Sequence, residues 1–382
     1  MTTPVSETPA SPAAANPEGV VDPVVALLGD PRVQRVMGDG GALTDVDSPH
    51  GLDAEQLLDL FARLILLRVF DERAVAYQRQ GRLGTYPMYS GEEAVQVGTV
   101  AAAQPGDWIF PSYRQASIGL LRGQGPEPSL RYWRGDARGL VDPRPLRVAP
   151  LATPVATHLP HAAGLAWAAR QRGDDVASVA FFGDGATSAG DFHEGLNCAA
   201  VLGAPVVFVC TNNQWAISTP LHKQTRVSAL ADKGAAYGIP AVRVDGFDCV
   251  AMRLAAGEAF ARAHGGGGPT LIEAVCYRIG PHGTADDPSL YRDAAEAGVW
   301  ERVEPVRRMR GWLERRGAYP DGLEERLRSE SRAEIEAAMQ RIEADPPPPA
   351  EVLVDTLYAA TPPALREQLG AWLDDAGGGE GR

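Results

Sequence analysis

Two side chains in this sequence are placed to do chemistry together. Asp184 sits in Gly183-Asp184-Gly185, and Asn213 closes the pair Asn212-Asn213 further along. The run from Val176 to Phe182 leads into the first and the run from Pro205 to Cys210 into the second, and both read as buried strands. Between them Asp191 to Leu202 suits a helix, with Asp191 as N-cap and Glu194 at the capping-box position. One strand–helix–strand unit would then carry a carboxylate at the end of its first strand and a carboxamide at the end of its second. Parallel sheets bind ligands at the carboxyl ends of their strands. Two oxygen donors converging there, beside a glycine turn and a helix N-terminus, suit a hard cation holding a diphosphate.

The tripeptide alone is weak evidence, and the chain supplies its own control. Gly38-Asp39-Gly40 is a second copy, but no strand-like run precedes it and no Asn-Asn pair follows at the matching distance, so it reads as loop.

The stretch from Gly183-Asp-Gly-Ala-Thr-Ser-Ala-Gly-Asp-Phe192 to Thr211-Asn-Asn-Gln-Trp-Ala-Ile-Ser-Thr-Pro220 resembles the thiamin diphosphate motif, and more narrowly the alpha subunit of the two-chain 2-oxo acid dehydrogenases. Tyr89-Ser-Gly-Glu-Glu93, Pro111-Ser-Tyr-Arg114, Thr153-Pro-Val-Ala-Thr157, Tyr277-Arg-Ile-Gly-Pro-His282 and Asp286-Asp-Pro-Ser-Leu-Tyr-Arg292 agree in order, so the resemblance covers roughly residues 53 to 345. It implies an α/β thiamin diphosphate-binding fold, a mostly parallel sheet flanked by helices with a helical C-terminal extension. It further implies oxidative decarboxylation of a 2-oxo acid, with the acyl group passed to a lipoylated acyltransferase component. Asp184, Asn213 and the main-chain carbonyl of Trp215 match the family's Mg²⁺ ligands. Tyr113, Arg114 and His282 match its diphosphate contacts, His282 also being the candidate catalytic residue. Thr153, Val155, Gly183, Gly185 and Ala186 complete the cofactor-binding set. A guanidinium offers paired donors to phosphate oxygens and a phenol adds one more.

At 382 residues the chain can hold one large or two ordinary domains, and 45% hydrophobic residues suffice for a full core. The net charge of -13, with no basic stripe, argues against nucleic-acid binding. Cys198, Cys210, Cys249 and Cys276 form no Cys-x-x-Cys pair and read as reduced core residues of a cytoplasmic protein. No apolar run approaches membrane-spanning length.

Residues 1–50 are expected to be a flexible segment, its first twenty or so rich in Pro, Ala, Ser and Thr; 51–300 the cofactor-binding α/β domain; 301–345 its helical C-terminal part; and 346–382 a tail with one short helix near Pro363 to Leu373. A long helix runs from Asp53, its cap, to Gln80, with Gln56 at N3. Further helices are expected at Pro160 to Arg170, Val250 to His264, Glu301 to Arg316 and Gly322 to Glu343, and strands at Ala241 to Asp245 and Thr270 to Cys276. Those strands supply only a diphosphate-binding domain. The resemblance implies a second such domain for the aminopyrimidine end of the cofactor, so the acid that engages it is expected from a beta subunit, in an α₂β₂ assembly.

The chain departs from the family at Gly283, where many members carry a phosphorylatable serine, and in the short segment Gly135 to Pro150. Glu92 and Glu93 fit either a site near the cofactor or an ordinary helix start. His158 stands where relatives place a residue beside a structural potassium ion. The wording of Ala216-Ile-Ser-Thr-Pro220 and Arg278-Ile-Gly280 leans toward branched-chain 2-oxo acids. Pyruvate is the alternative, then acetoin cleavage, then a non-catalytic paralogue. A dinucleotide-binding dehydrogenase is excluded, because no Gly-x-Gly-x-x-Gly opens a helix after a strand.

Overall fold

A computed structural model describes residues 22–46, 49–355 and 357–377; the first twenty residues, expected to be flexible, lie outside them. In chain order the strands are β1 (Val33–Gln34), β2 (Trp108–Phe110), β3 (Ser178–Gly183), β4 (Val206–Asn212), the small antiparallel pair β5 (Trp215–Ala216) and β6 (Thr219–Pro220), β7 (Ala241–Asp245) and β8 (Thr270–Val275). The helices are α1 (Pro23–Leu28), α2 (Ala54–Arg79), α3 (Glu93–Ala102), α4 (Glu127–Arg134), α5 (His158–Arg172), α6 (Gly190–Leu202), α7 (Leu221–Gln224), α8 (Cys249–His264), α9 (Ala294–Glu301), α10 (Pro305–Arg315), α11 (Leu323–Ala344), α12 (Val352–Asp355) and α13 (Pro363–Gly377).

The central strands are β-branched and aromatic, apolar on both faces, as a sheet covered from both sides requires. They pair in parallel in the order β1-β7-β8-β4-β3-β2. Alternate residues enter two separate cores. Val179, Phe181, Val207 and Val209 pack with α2, α3 and α8, while Ala180, Phe182, Phe208 and Cys210 pack with α5 and α6. Phe181 and Phe208 are fully buried, and truncating such a side chain to alanine costs about 3–5 kcal/mol. The α/β class, the parallel sheet and the helical C-terminal part are as expected.

Local signals set several boundaries. The capping box of α2 is closed: Gln56 N–H donates to Asp53 Oδ1 (2.9 Å) and Asp53 N–H donates to Gln56 Oε1 (3.0 Å). Four expectations need correction. First, residues 22–46 are built into the fold. Val33 and Gln34 pair with Arg243 and Val244 of β7, and Asp248 Oδ2 accepts from Val36 N–H (2.7 Å) and Met37 N–H (2.6 Å). A two-residue strand has no periodicity to read; its hold comes from residues over two hundred positions away. Second, Asp191 does not cap α6. A 3-10 turn over Asp184–Ser188 carries the chain off β3, so the helix begins at Gly190 behind Ala189, and Asp191 lies in its first turn. Third, the helix expected from Glu301 starts at Pro305, with the Glu304 carboxylate accepting from Val306 and Arg307 N–H, because proline favours the first turn and an extended residue before it. Fourth, Cys198 is exposed, on the outer face of α6, whereas Cys210, Cys249 and Cys276 are buried; all four are unpaired. No helix among the described residues is long and apolar enough to cross a membrane.

Candidate active site

The candidate residues gather at the carboxyl ends of four strands that are neighbours in the sheet, β8-β4-β3-β2. From β2 through β3 to β4 the chain steps one way across the sheet with α5 and α6 on one face; from β7 to β8 it steps the other way with α8 on the opposite face. The order reverses between β4 and β8, and such a reversal opens a crevice at the strand ends. A cavity of about 210 Å³ occupies it, lined by Tyr113, Arg114, Val155, Gly183, Asp184, Gly185, Ala186, Asn213 and Trp215 among others. His282 stands beside it through Arg114, whereas Thr153 is exposed and outside the lining. A larger groove of about 620 Å³ lies between the Asp39 loop and α10–α11, but its Arg310, Arg315 and Arg328 are already paired with carboxylates.

Asp184 is 1% exposed and has no ion pair among the described residues; its Oδ2 accepts from Gln224 Nε2 at 2.7 Å. Burial pushes its carboxyl up from 3.8 to about 6. A buried carboxylate without a counter-charge is costly, so the position suits a cation. Asn213 extends from the next strand: its Oδ1 accepts from Trp215 N–H (3.1 Å) and its Nδ2 donates to Glu92 Oε1 (2.6 Å). The Trp215 carbonyl accepts from Arg278 Nη1 at 3.3 Å and its indole N–H donates to the Tyr277 hydroxyl at 3.2 Å. A carbonyl has two acceptor sites, so Trp215 packs as an aromatic and keeps an oxygen lone pair. No cluster of three or more His, Cys, Asp or Glu suited to a metal exists among the described residues. The candidate set is instead one carboxylate, one carboxamide and one carbonyl, the hard oxygen donors that magnesium accepts.

The backbone around these atoms is strained. Of the four non-glycine residues with positive φ among the described residues, Ala156 (68°) and Ile217 (56°) line the cavity, and Gln214 (72°) lies in the chain between its lining residues Asn213 and Trp215. For a β-branched residue such as Ile217 this is a true outlier, and each costs about 1–3 kcal/mol, a kind of strain that clusters at ligand sites. Gly185 is required for a different reason: a Cβ there would stand 2.8 Å from Ala216 Cβ.

Arg114 is 6% exposed, in a 3-10 turn just past β2. Its guanidinium donates to the carbonyls of Met88 and His282, and its Nη2 lies 3.0 Å from His282 Nδ1. A guanidinium only donates, so Nδ1 accepts and the imidazole proton sits on Nε2. Burial, reinforced by the charges of Arg114 and Arg278, lowers the His282 imidazolium to about 4. His282 is therefore neutral near pH 7, with Nε2–H as its donor. The Tyr113 ring lies 5.9 Å from the His282 ring. Arg278 and Asp286 bracket this loop and meet at Tyr291: Arg278 Nη2 donates to its hydroxyl (2.9 Å), that hydroxyl donates to Asp286 Oδ2, and His282 N–H donates to the same carboxylate (2.7 Å).

The ambiguous acids separate. Glu93 bonds Arg68 Nε (2.5 Å) and Gly91 N–H (2.8 Å), away from the cavity, whereas Glu92 lines it. Burial pushes Glu92 up to about 7, against the pull of Arg114 and Asn213. His158 Nε2 donates to the Phe181 carbonyl at 2.7 Å. Thr284 is tied to Tyr86 by two hydrogen bonds, its N–H to the carbonyl and its Oγ1 from the N–H. Sequence reading missed Gln224, the partner of Asp184, in the four-residue α7, which carries no periodic signal. It also missed Gln115, whose position beside Arg114 was the available hint.

Comparison with known proteins identifies the family. The family model described as "Dehydrogenase E1 component" matches residues 62–351. The chain is 41% identical over 344 residues to the 3-methyl-2-oxobutanoate dehydrogenase subunit alpha of Mycobacterium tuberculosis, covering 89% of this chain and 94% of that one. It is 41% identical over 319 residues to the pyruvate dehydrogenase E1 component subunit alpha of Acholeplasma laidlawii (83% and 92%). It is 36% identical over 335 residues to that of Staphylococcus aureus (87% and 90%). With a model spanning most of its length and relatives alike over nearly their whole length, the chain belongs to the dehydrogenase E1 component family.

Proposed function

We propose that this chain is the alpha subunit of a branched-chain 2-oxo acid dehydrogenase, and that its strand-end cavity holds the diphosphate of thiamin diphosphate through Mg²⁺. The observation carrying the reading is Asp184, a buried carboxylate with no ion pair among the described residues, at the end of the strand beside the one that leads into Asn213. Asp184, Asn213 and the Trp215 carbonyl would hold the cation, with diphosphate oxygens and water completing an octahedral shell. Tyr113 and Arg114 would bind the diphosphate, and Gly183, Gly185, Ala186 and Val155 would shape the wall against it. Arg114 orients His282, and burial, reinforced by the Arg114 charge, keeps it neutral, so His282 offers Nε2–H as a hydrogen-bond donor rather than a mobile proton. When bound, thiamin diphosphate supplies the electron sink for decarboxylation; the protein supplies position and electrostatics.

The same fold reading explains a partner. The described strands form the one large sheet that meets the diphosphate end, and the acid for the aminopyrimidine end comes from a beta subunit across the cavity mouth, in an α₂β₂ assembly. Val155 and Ile217, 51% and 56% exposed beside that mouth, suit burial by such a partner. The lipoylated acyltransferase component then receives the acyl group. Four unpaired cysteines suit a reducing cytoplasm.

The chain alone should show no 2-oxo acid decarboxylation and should gain it with its beta partner; activity of the isolated chain would refute the division. A pyruvate substrate is the second reading, favoured by the Acholeplasma and Staphylococcus relatives. Steady-state kcat/KM with 3-methyl-2-oxobutanoate against pyruvate decides between them, the first being expected to be larger.

A further inference from the structure

Glu92 is a buried acid that faces Arg114 and also engages the Asn213 carboxamide. It is the N-cap residue of α3, yet its side chain makes no capping hydrogen bond to that helix. It is 1% exposed, its Oε1 accepts from Asn213 Nδ2 at 2.6 Å, and its Oε2 has no partner in the described structure. Arg114 Nε is 3.7 Å from Oε1.

The consequence falls on Asn213. A carboxamide has an oxygen end and an NH₂ end of nearly equal size, and only the oxygen can ligate a cation. Trp215 N–H can only donate, so it takes the oxygen. A carboxylate can only accept, so Glu92 takes the NH₂. Two one-way partners thus fix the amide, and the Asn213 oxygen retains a lone pair. Without Glu92 the side chain could turn its NH₂ toward the ion.

We propose that Glu92 is a positioning residue for cation binding, holding the Asn213 carboxamide with its oxygen available to Mg²⁺. This rests on the reading of the cavity as a magnesium–diphosphate site. Outer partners of metal ligands change metal affinity by about 10–100-fold when removed.

The test is Mg²⁺ affinity of the full chain with its beta partner at saturating thiamin diphosphate, read from Mg²⁺-dependent quenching of protein fluorescence, for parent, Glu92→Gln, Glu92→Leu and Asp184→Ala. Glu92→Gln and Glu92→Leu both remove the charge beside Arg114, but only Gln keeps an acceptor for the Asn213 NH₂. The expected result is an Mg²⁺ Kd raised about 10–100-fold in Glu92→Leu and restored to within about 3-fold of the parent in Glu92→Gln. Melting curves without ligand check folding, and Glu92→Ala replaces Leu if that variant does not fold. Equal losses in Gln and Leu, or a Leu variant that binds Mg²⁺ like the parent, would overturn the proposal. If Asp184→Ala also binds Mg²⁺ like the parent, the magnesium reading itself has failed; if Asp184→Ala alone loses affinity, only the role of Glu92 has.

Discussion

The chain contains Gly-Asp-Gly twice, and the two copies behave differently. Asp39 lies in a half-buried loop where its Oδ1 accepts from the N–H groups of Gly41 (2.9 Å) and Leu43 (2.8 Å). The loop closes on itself and its acid is spent on its own backbone. Asp184 stands at the tip of a buried strand, its Oδ2 accepting from Gln224 Nε2 (2.7 Å), next to the strand that leads into Asn213. The tripeptide specifies a turn that tolerates close approach; the sheet decides whether the acid faces solvent and backbone or a ligand cavity.

That contrast can be broken most severely by mutation. Asp184→Ala should raise the Kd for thiamin diphosphate with Mg²⁺ by about 100-fold or more, since the ion loses its charged protein ligand, about 2.7 kcal/mol. Asp39→Ala should leave that Kd unchanged in the same calorimetric titration. Similar losses in the two variants would erase the distinction.

A change of pH should sharpen it. Burial pushes the Asp184 carboxyl up from 3.8 to about 6, so between those values the ligand-free fold binds a proton that the unfolded chain does not. Its stability therefore falls as pH rises through that window. A bound cation favours the ionised form and relieves the penalty. The rise in Tm produced by thiamin diphosphate and Mg²⁺ should be larger at about pH 7.5 than at about pH 5, with the proton and the ion competing for Asp184. An equal rise at both would contradict the assignment. The smallest effect belongs to the loop: Asp39→Ala should cost about 1 kcal/mol in urea unfolding, the worth of its local hydrogen bonds. No loss of stability would mean that its turn is held by other contacts.

Much of this was legible because it is local. Apolar runs of strand length preceded both Asp184 and Asn213, and parallel pairing then placed the two side by side, Gly183 opposite Thr211. The capping box of α2 was readable from Asp53 and Gln56 for the same reason. The rest is written in long-range contacts. β1 is two residues long and depends on β7 and Asp248. Gln224 reaches Asp184 across forty positions. Glu92 and Glu93 are the same residue type one position apart, and only packing sends one to Arg68 and the other to Asn213. The positive φ values at Gln214 and Ile217 have no signature in residues that ordinarily avoid them.

The most direct test is a crystal structure of the chain with its beta partner, grown with thiamin diphosphate and Mn²⁺ in place of Mg²⁺ and read by anomalous scattering. An anomalous peak bonded to the side-chain oxygens of Asp184 and Asn213 and to diphosphate oxygens is expected. A peak elsewhere, or cofactor density with Asp184 still engaged only by Gln224, would contradict it.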